Sequence, residues 1–392
     1  MRFDKIEVGP RTTTNVKRTE EAVNWVVRRS DELLGKIGLG GRKANYDDVN
    51  YEFVGGPGEV MRKKHYDKSL RLLWKAQDHA PFLDFHDCTQ VEKELHDMAF
   101  RAMNDDEKAA VQRLSTKEYK ELLNREYTVR EKQAIVSVLS AIGHGEAYAW
   151  LVSAELLAQV KSTGARAALT MQVLEEAKHF LVLRELLHAF DVPIPRLTGF
   201  EYVLLERVYK AEGLEKLFGM NVLVEGIALG LFGMMSHLPG LEILRLFHLD
   251  ESRHTGLPNN YFREFPLTES ERKNPVRQMK RLAMVLPAVG LIPSMEDDLA
   301  ELGIDVFDFG GSVIRKIAHL ADRNGFELPV SNDKLLAMLD DLMNAYCKVA
   351  RPHHVERKFT QQETTKGVRE LQVEHEIFLG KRASAAAQSI QA

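Results

Sequence analysis

The stretch Phe247–Gly256, FHLDESRHTG, decides how this chain is read. It sets Asp250, Glu251, Arg253 and His254 within five positions, directly after the apolar run LEILRLFHL. Helix positions three apart share one face, with Cβ atoms roughly 5–6 Å apart, so Glu251 and His254 can reach one metal ion. The competing reading is a solvated face with an ordinary charge pair. The stretch alone does not separate the two, because one E-x-x-H match is expected about once by chance in a chain with 14 His and 57 acidic residues.

What separates them is repetition. Glu225, in NVLVEGIA, precedes Glu251 by 26 residues. Upstream, Glu146 in GHGEAYAW precedes Glu176 by 30 residues, and Glu176 belongs to EEAKH, which ends on His179. Each spacing is that of two antiparallel helices joined by a short turn, with the acids at one level at a rise of about 1.5 Å per residue. Four Glu and two His then point inward from four helices, the donor set of di-iron and di-manganese carboxylate sites. Carboxylate and imidazole without thiolate suit iron or manganese. Four carboxylates also balance two divalent ions, which answers the otherwise costly burial of Glu225 in an apolar helix. A third match, Glu185-Leu-Leu-His188, lies nine residues beyond Glu176 and about half a turn around the helix, so it faces away.

The acid before each ligand Glu has its own reading. A metal-bound imidazole needs an acceptor for its other N–H. Asp250 is placed to serve His179 and Glu175 to serve His254, with Arg253 and Lys178 pairing with these carboxylates. Surface charges one step off the face are the alternative.

Apolar residues at helical spacing predict helices over Arg130–Val160, Ala165–Phe190, Gly213–Met235 and Leu241–His254, with a shorter one over Glu201–Lys210. A helix is expected over Thr19–Leu34, a loop at GKIGLGG, helical pattern from His65 to Asn124, and further helices to about Phe378. The expected fold class is all-α: a mostly helical N-terminal extension (1–125), a four-helix bundle with a di-metal centre (126–260), a C-terminal helical extension packed on it (261–380) and a disordered tail (381–392). The glycines around Glu146 and beside Glu225 fit close helix packing, or else space for an apolar substrate pocket. For such a pocket the sequence offers Ile142, Trp150, Phe180, Val222, Leu229 and Phe232. His86, His353 and His354 lack further ligands at useful spacing.

Composition bounds the rest. At 392 residues, 44% apolar and 28% charged, the chain reads as soluble and globular. A net charge of -4 supplies no basic field for nucleic acid. Two cysteines without a CxxC, and no visible secretory signal, lead to a cytoplasmic expectation. The apolar stretch Leu217–Met235 has the length of a bilayer span, but Asn221 and Glu225 near its middle make a buried bundle helix the expectation.

The paired E…EExKH and E…DExRH pattern resembles the ferritin-like superfamily of di-iron carboxylate proteins, over about Arg130–Gly256. That group includes multicomponent monooxygenase hydroxylases, ribonucleotide reductase small subunits, acyl-carrier desaturases, rubrerythrins and arylamine N-oxygenases. The resemblance implies two iron ions, or a manganese/iron pair, held by Glu146, Glu176, His179, Glu225, Glu251 and His254. It implies activation of dioxygen to oxidise a small hydrophobic or aromatic substrate, and a homodimer; since no flavin, nicotinamide or iron–sulfur motif is visible, electrons are expected from a separate reductase or from the substrate. A ferroxidase, a peroxide scavenger or a manganese/iron ligand-binding oxidase is the alternative within the same resemblance. Departures disfavour some members. Leu183 stands where the reductases carry a radical tyrosine, Leu229 where the hydroxylases carry a threonine, and Phe247, beside His248, where the N-oxygenases carry a third histidine.

Overall fold

Thr128 opens the first helix of the centre. Its hydroxyl accepts from the backbone N–H of Glu131 at 3.3 Å, and the Glu131 carboxylate accepts from the Thr128 N–H at 2.7 Å. This reciprocal cap satisfies donors that a helix start leaves open. The computed structural model describes residues 5–8, 10–37, 101, 105, 117–161, 163–351 and 353–360, and among them it contains helices and no strand. The helices are α1 (Pro10–Lys36), α2 (Lys117–Glu126), α3 (Val129–Gln159), α4 (Thr163–Ala189) and α5 (Gly199–Lys210). They continue as α6 (Gly213–Met235), α7 (Leu244–Glu264), α8 (Glu269–Lys273), α9 (Pro275–Ser294), α10 (Glu296–Glu301), α11 (Val306–Arg323) and α12 (Asn332–Ala350). The expected GKIGLGG loop beyond Ile37, the pattern from His65 to residue 116 apart from residues 101 and 105, His86, and everything after Thr360 lie outside the described residues.

α3 and α4 form one helical hairpin, and α6 and α7 form the other. Connections this short leave each pair antiparallel. α3 buries residues on nearly every side, from Ala134 and Ile135 to Val152 and Leu156, as a central helix must. The turn between α6 and α7 is held from α2 and its exit: Tyr119 donates its hydroxyl to the Gly240 carbonyl at 2.5 Å, and Tyr127 to the Pro239 carbonyl at 2.6 Å. Gly240 has φ +85°, a conformation open to glycine and strained for other residues. Among the described residues two helices, α3 and α6, are long and apolar enough to cross a membrane; 72% and 83% of their most apolar windows are buried inside the fold. Only the second was singled out from sequence.

Two elements run beyond their expected ends. α1 covers Pro10–Lys36 and so extends past Thr19–Leu34 on both sides. α7 does not stop at His254 but continues to Glu264, straight through Pro258. Proline lacks the N–H that would bond the carbonyl four residues back. That carbonyl, His254 O, accepts instead from Nδ2 of Asn221 at 3.1 Å, so the helix passes the proline with the group satisfied.

The flanking helices pack on the centre. Asp305 caps α11 by accepting from the N–H groups of Phe307 and Asp308, and Asn274 caps α9 ahead of Pro275. The fully buried Arg281 of α9 donates to Glu215 at the start of α6 at 3.2 Å and to the Glu271 and Glu327 carbonyls. α11 lies so close to α6 that a Cβ at Gly230 would come within 2.7 Å of Val313, and one at Gly226 within 2.9 Å of Ile317. At these two positions glycine serves close helix packing. On its far side α11 seats residues 353–360: a Cβ at Gly311 would lie 2.3 Å from the backbone oxygen of Phe359. Gly311→Ala is therefore expected to lower stability by about 1–3 kcal/mol, the cost of overpacking against backbone that cannot yield cheaply. Chemical denaturation reads this, and an unchanged midpoint would show that the segment is not seated there.

Candidate metal centre

α3, α4, α6 and α7 each turn a buried face to the bundle interior, and each of those faces carries acids. Glu146 comes from α3, Glu176 and His179 from α4, Glu225 from α6, and Glu251 and His254 from α7; all six are buried. They form two overlapping clusters. Glu146, Glu176, His179 and Glu251 make one; Glu176, Glu225, Glu251 and His254 make the other, with donor atoms in each within 4.8 Å of one another. Glu176 and Glu251 thus belong to both.

The histidines turn Nδ1 into the cluster. Nδ1 of His179 lies 3.2 Å from Glu146 Oε2 and 3.0 Å from Glu251 Oε1. Nδ1 of His254 lies 3.1 Å from both Glu176 Oε1 and Glu251 Oε2, and 3.4 Å from Glu225 Oε1. The outer nitrogens find the carboxylates expected for them. His179 Nε2 is 2.9 Å from Asp250 Oδ2, and His254 Nε2 is 2.9 Å from Glu175 Oε2. Arg253 donates to Glu175 at 2.7 Å and also to Asp250, so one guanidinium ties the two outer acids together. Lys178 adds a bond to Asp250 at 2.7 Å. With both Nε2–H groups engaged outward, both Nδ1 lone pairs are directed inward.

The interior of the cluster is short of positive charge. Glu176 Oε2 and Glu251 Oε1 are sealed from water and complete no hydrogen bond, although His179 Nδ1 stands 3.7 and 3.0 Å from them. Buried carboxylate oxygens whose hydrogen bonds are incomplete cost several kcal/mol in order of magnitude, and a cation between them would remove that cost. The groups are therefore able to hold metal. Without metal, protons take its place. Burial, then repulsion from Glu251 and Glu176, drives the Glu146 carboxyl well above its usual range; burial, then Glu176 and Glu251, does the same to Glu225. Burial works against charge on His179, but Asp250 and the ring of glutamates outweigh it and hold the imidazole well above its ordinary value. His254 is raised in the same way, burial being outweighed by Glu176, Glu251 and Glu225. Burial also opposes charge on Glu176, yet His254 and His179 keep it well below the carboxylate range.

These directions give a pH prediction with a definite sign. Glu146, Glu225, His179 and His254 hold more protons folded than unfolded, so their contribution to the metal-free fold is lost as pH rises above their unfolded values. His144 and His248 act oppositely: burial lowers each to about 3, so the unfolded chain binds more protons below about pH 6.5. Between about pH 4.5 and 6.5 the two opposing pairs offset each other, so metal-free protein is expected to melt highest in this mildly acidic range and to weaken on both sides, with the lowered Glu176 adding to the acid loss. Divalent metal should abolish the alkaline loss while leaving the acid one. Melting curves against pH, with chelator and with Mn(II), test this, and an alkaline limb unaffected by metal would contradict it.

Two residues at the site were not found from sequence as site residues. Gln172, on α4, donates Nε2 to Glu225 Oε1 at 2.8 Å and to Glu176 Oε1 at 3.3 Å. Asn221, on α6, donates Nδ2 to Gln172 Oε1 at 2.9 Å. Asn221 lies in a π-helical stretch, Phe218–Val224, a widened turn of the kind that often accompanies functional sites. The available signal was a buried amide four residues before each of Glu176 and Glu225, hence on the ligand face. His248, adjacent to the place of a third ligand, turns away and meets the Leu229 carbonyl through Nδ1 at 2.8 Å.

The pocket expected from sequence is corrected in position. A cavity of about 120 Å³ adjoins the centre, and Glu146 and Glu225 form part of its wall. Of the six residues proposed for it, Ile142 lines it. Trp150 and Phe180 pack on each other, with centroids 6.5 Å apart, and Phe232 sits edge-on to His179 and Phe247. Val222 and Leu229 are fully buried but not on the wall. The physical reason is that the cavity opens on the other face of α3 and α6, toward α5, α9 and α11. Its wall combines Gly145 and Ala149 with Leu205, Ala228, Val289 and Val313. A Cβ at Gly145 would meet nothing within 4 Å, so here glycine leaves space, in contrast to Gly226 and Gly230. Glu201 also reaches the wall while capping α5 through the Thr198 N–H at 2.6 Å.

No protein-family model, curated protein or solved structure matches this chain.

Proposed function

We propose that the chain is a ferritin-like di-iron oxidase or oxygenase that activates dioxygen to oxidise a small hydrophobic or aromatic organic substrate. The observation that carries this reading is the pair of clusters sharing Glu176 and Glu251, set in the wall of an apolar cavity. In it, Glu146 and His179 would hold one ion and Glu225 and His254 the other, with Glu176 and Glu251 available to both. Bound iron, or a manganese/iron pair, supplies the oxidising chemistry. The chain's own residues do the rest. Asp250 and Glu175 hold the histidines in the tautomer that offers Nδ1, and Arg253 keeps those two acids aligned. The wall from Ile142 to Val313 excludes water and orients a substrate against Glu146 and Glu225. A cavity of about 120 Å³ is of the same order as the roughly 150 Å³ apolar cavity that takes up benzene, which sets the size of substrate. No flavin, nicotinamide or iron–sulfur motif is visible in the sequence, so electrons are assigned to a separate reductase or to the substrate.

The test is anaerobic loading with Fe(II), iron analysis, and then exposure to oxygen with and without small aromatic or aliphatic compounds. Two irons per chain and an oxidised organic product are expected. Oxygen reduction without any organic product would favour a ferroxidase or peroxide-scavenging role. Fewer than two bound metals would remove the reading.

A further inference from the structure

The internal repeat allows each half of the site to be compared with its counterpart, and the halves differ. Four residues before Glu176 stands Gln172, and four before Glu251 stands Phe247. Four residues before Glu225 stands Asn221, and four before Glu146 stands Ile142. One half therefore carries a buried amide pair where the other carries two hydrocarbons.

The amides form a closed chain of bonds. Pro258 leaves the His254 carbonyl free, Asn221 Nδ2 takes it at 3.1 Å, and the same amide reaches Gln172 Oε1 at 2.9 Å. This fixes the sense of the Gln172 amide, so its Nε2 faces Glu225 and Glu176 as a donor. Glu225 is thereby held in place before any ion arrives. Glu146 has no such brace: among the described residues its hydrogen bond is to His179 alone, and it faces the cavity beside Gly145. His179 is flanked by a stacked Phe247 ring at 4.3 Å, which offers no donor to either carboxylate.

We infer that the two metal positions are unequal, with Gln172, oriented by Asn221 and Pro258, making Glu225–His254 the tighter position and leaving Glu146–His179 the weaker. Gln172 acts as a positioning residue, because a ligand already oriented loses less freedom when it binds. The inference rests on the two-ion reading above.

Titration of metal-free protein with Mn(II), following free Mn(II) by its magnetic resonance signal, distinguishes the possibilities. Two ions per chain are expected in two separate phases. Glu146→Gln should retain the tight phase and Glu225→Gln only the weak one. Gln172→Leu should weaken the tight phase by roughly 10–100-fold, the usual range for a residue that orients a ligand, and leave the weak phase within a few-fold. Asn221→Ser, which keeps a small polar group in the π-helical turn, should move the same phase in the same direction. A general packing defect would lower both phases together, and that result, or two equal phases in the unaltered protein, would overturn the inference. Binding of fewer than two ions would instead overturn the function proposed above.

Discussion

Replacing Glu176 by glutamine is expected to empty both metal positions at once. Its two oxygens face different clusters: Oε1 lies 3.1 Å from His254 Nδ1, and Oε2 lies 3.7 Å from His179 Nδ1. An amide keeps the volume but gives up the charge, and half of what remains is a donor pointed at the cation site. Loss of a ligand common to both ions should lower bound metal from two per chain to near zero after dialysis, whereas Glu146→Gln should spare one. Metal analysis decides between these outcomes. Two ions retained in Glu176→Gln would show that the carboxylate is not shared. Circular dichroism should show the fold intact, since the substitution removes a buried anion with an unsatisfied oxygen.

The second large effect is expected at Gly145. Leucine there places its side chain into a cavity of about 120 Å³ lined by apolar groups, with no atom within 4 Å of its Cβ. Gly145→Leu should therefore retain two metals and melt no lower, since replacing a mid-helix glycine stabilises a helix by up to about 1 kcal/mol. Oxidation of any substrate that uses the cavity should fall by roughly 100-fold or more, as displacement of a reactant by about 1 Å already costs that much. Unchanged turnover would place the substrate elsewhere.

The cluster could be read from sequence because its rule is local. Glu176 with His179, and Glu251 with His254, need only helical periodicity to share a face, and Glu146 and Glu225 need only hairpin spacing. The pairing of Asp250 with His179 and Glu175 with His254 follows from the same arithmetic. The pocket was not legible, because its other wall is tertiary. Nothing within α3 or α6 indicates that α5, α9 and α11 close over Gly145 and Ala228, so the sequence points instead to residues beside the motifs such as Trp150 and Phe180. The end of α7 was misjudged for a related reason. A proline reads as a stop unless another part of the chain supplies a donor, and Asn221 is 37 residues away from Pro258. The assignment of glycines divided in the same manner: Gly226 and Gly230 answer to α11, a partner that their own helix does not announce.

Pro258 also sets a limit on how far this protein could be improved as a scaffold. A proline inside a helix costs about 3 kcal/mol, so Pro258→Ala is the substitution that any stability screen of α7 should recover. The restored N–H would compete with Asn221 for the His254 carbonyl and release the amide that orients Gln172. Selection for a sturdier fold and selection for discriminating metal uptake would then pull this one position in opposite directions, a stability–activity conflict confined to a single missing hydrogen.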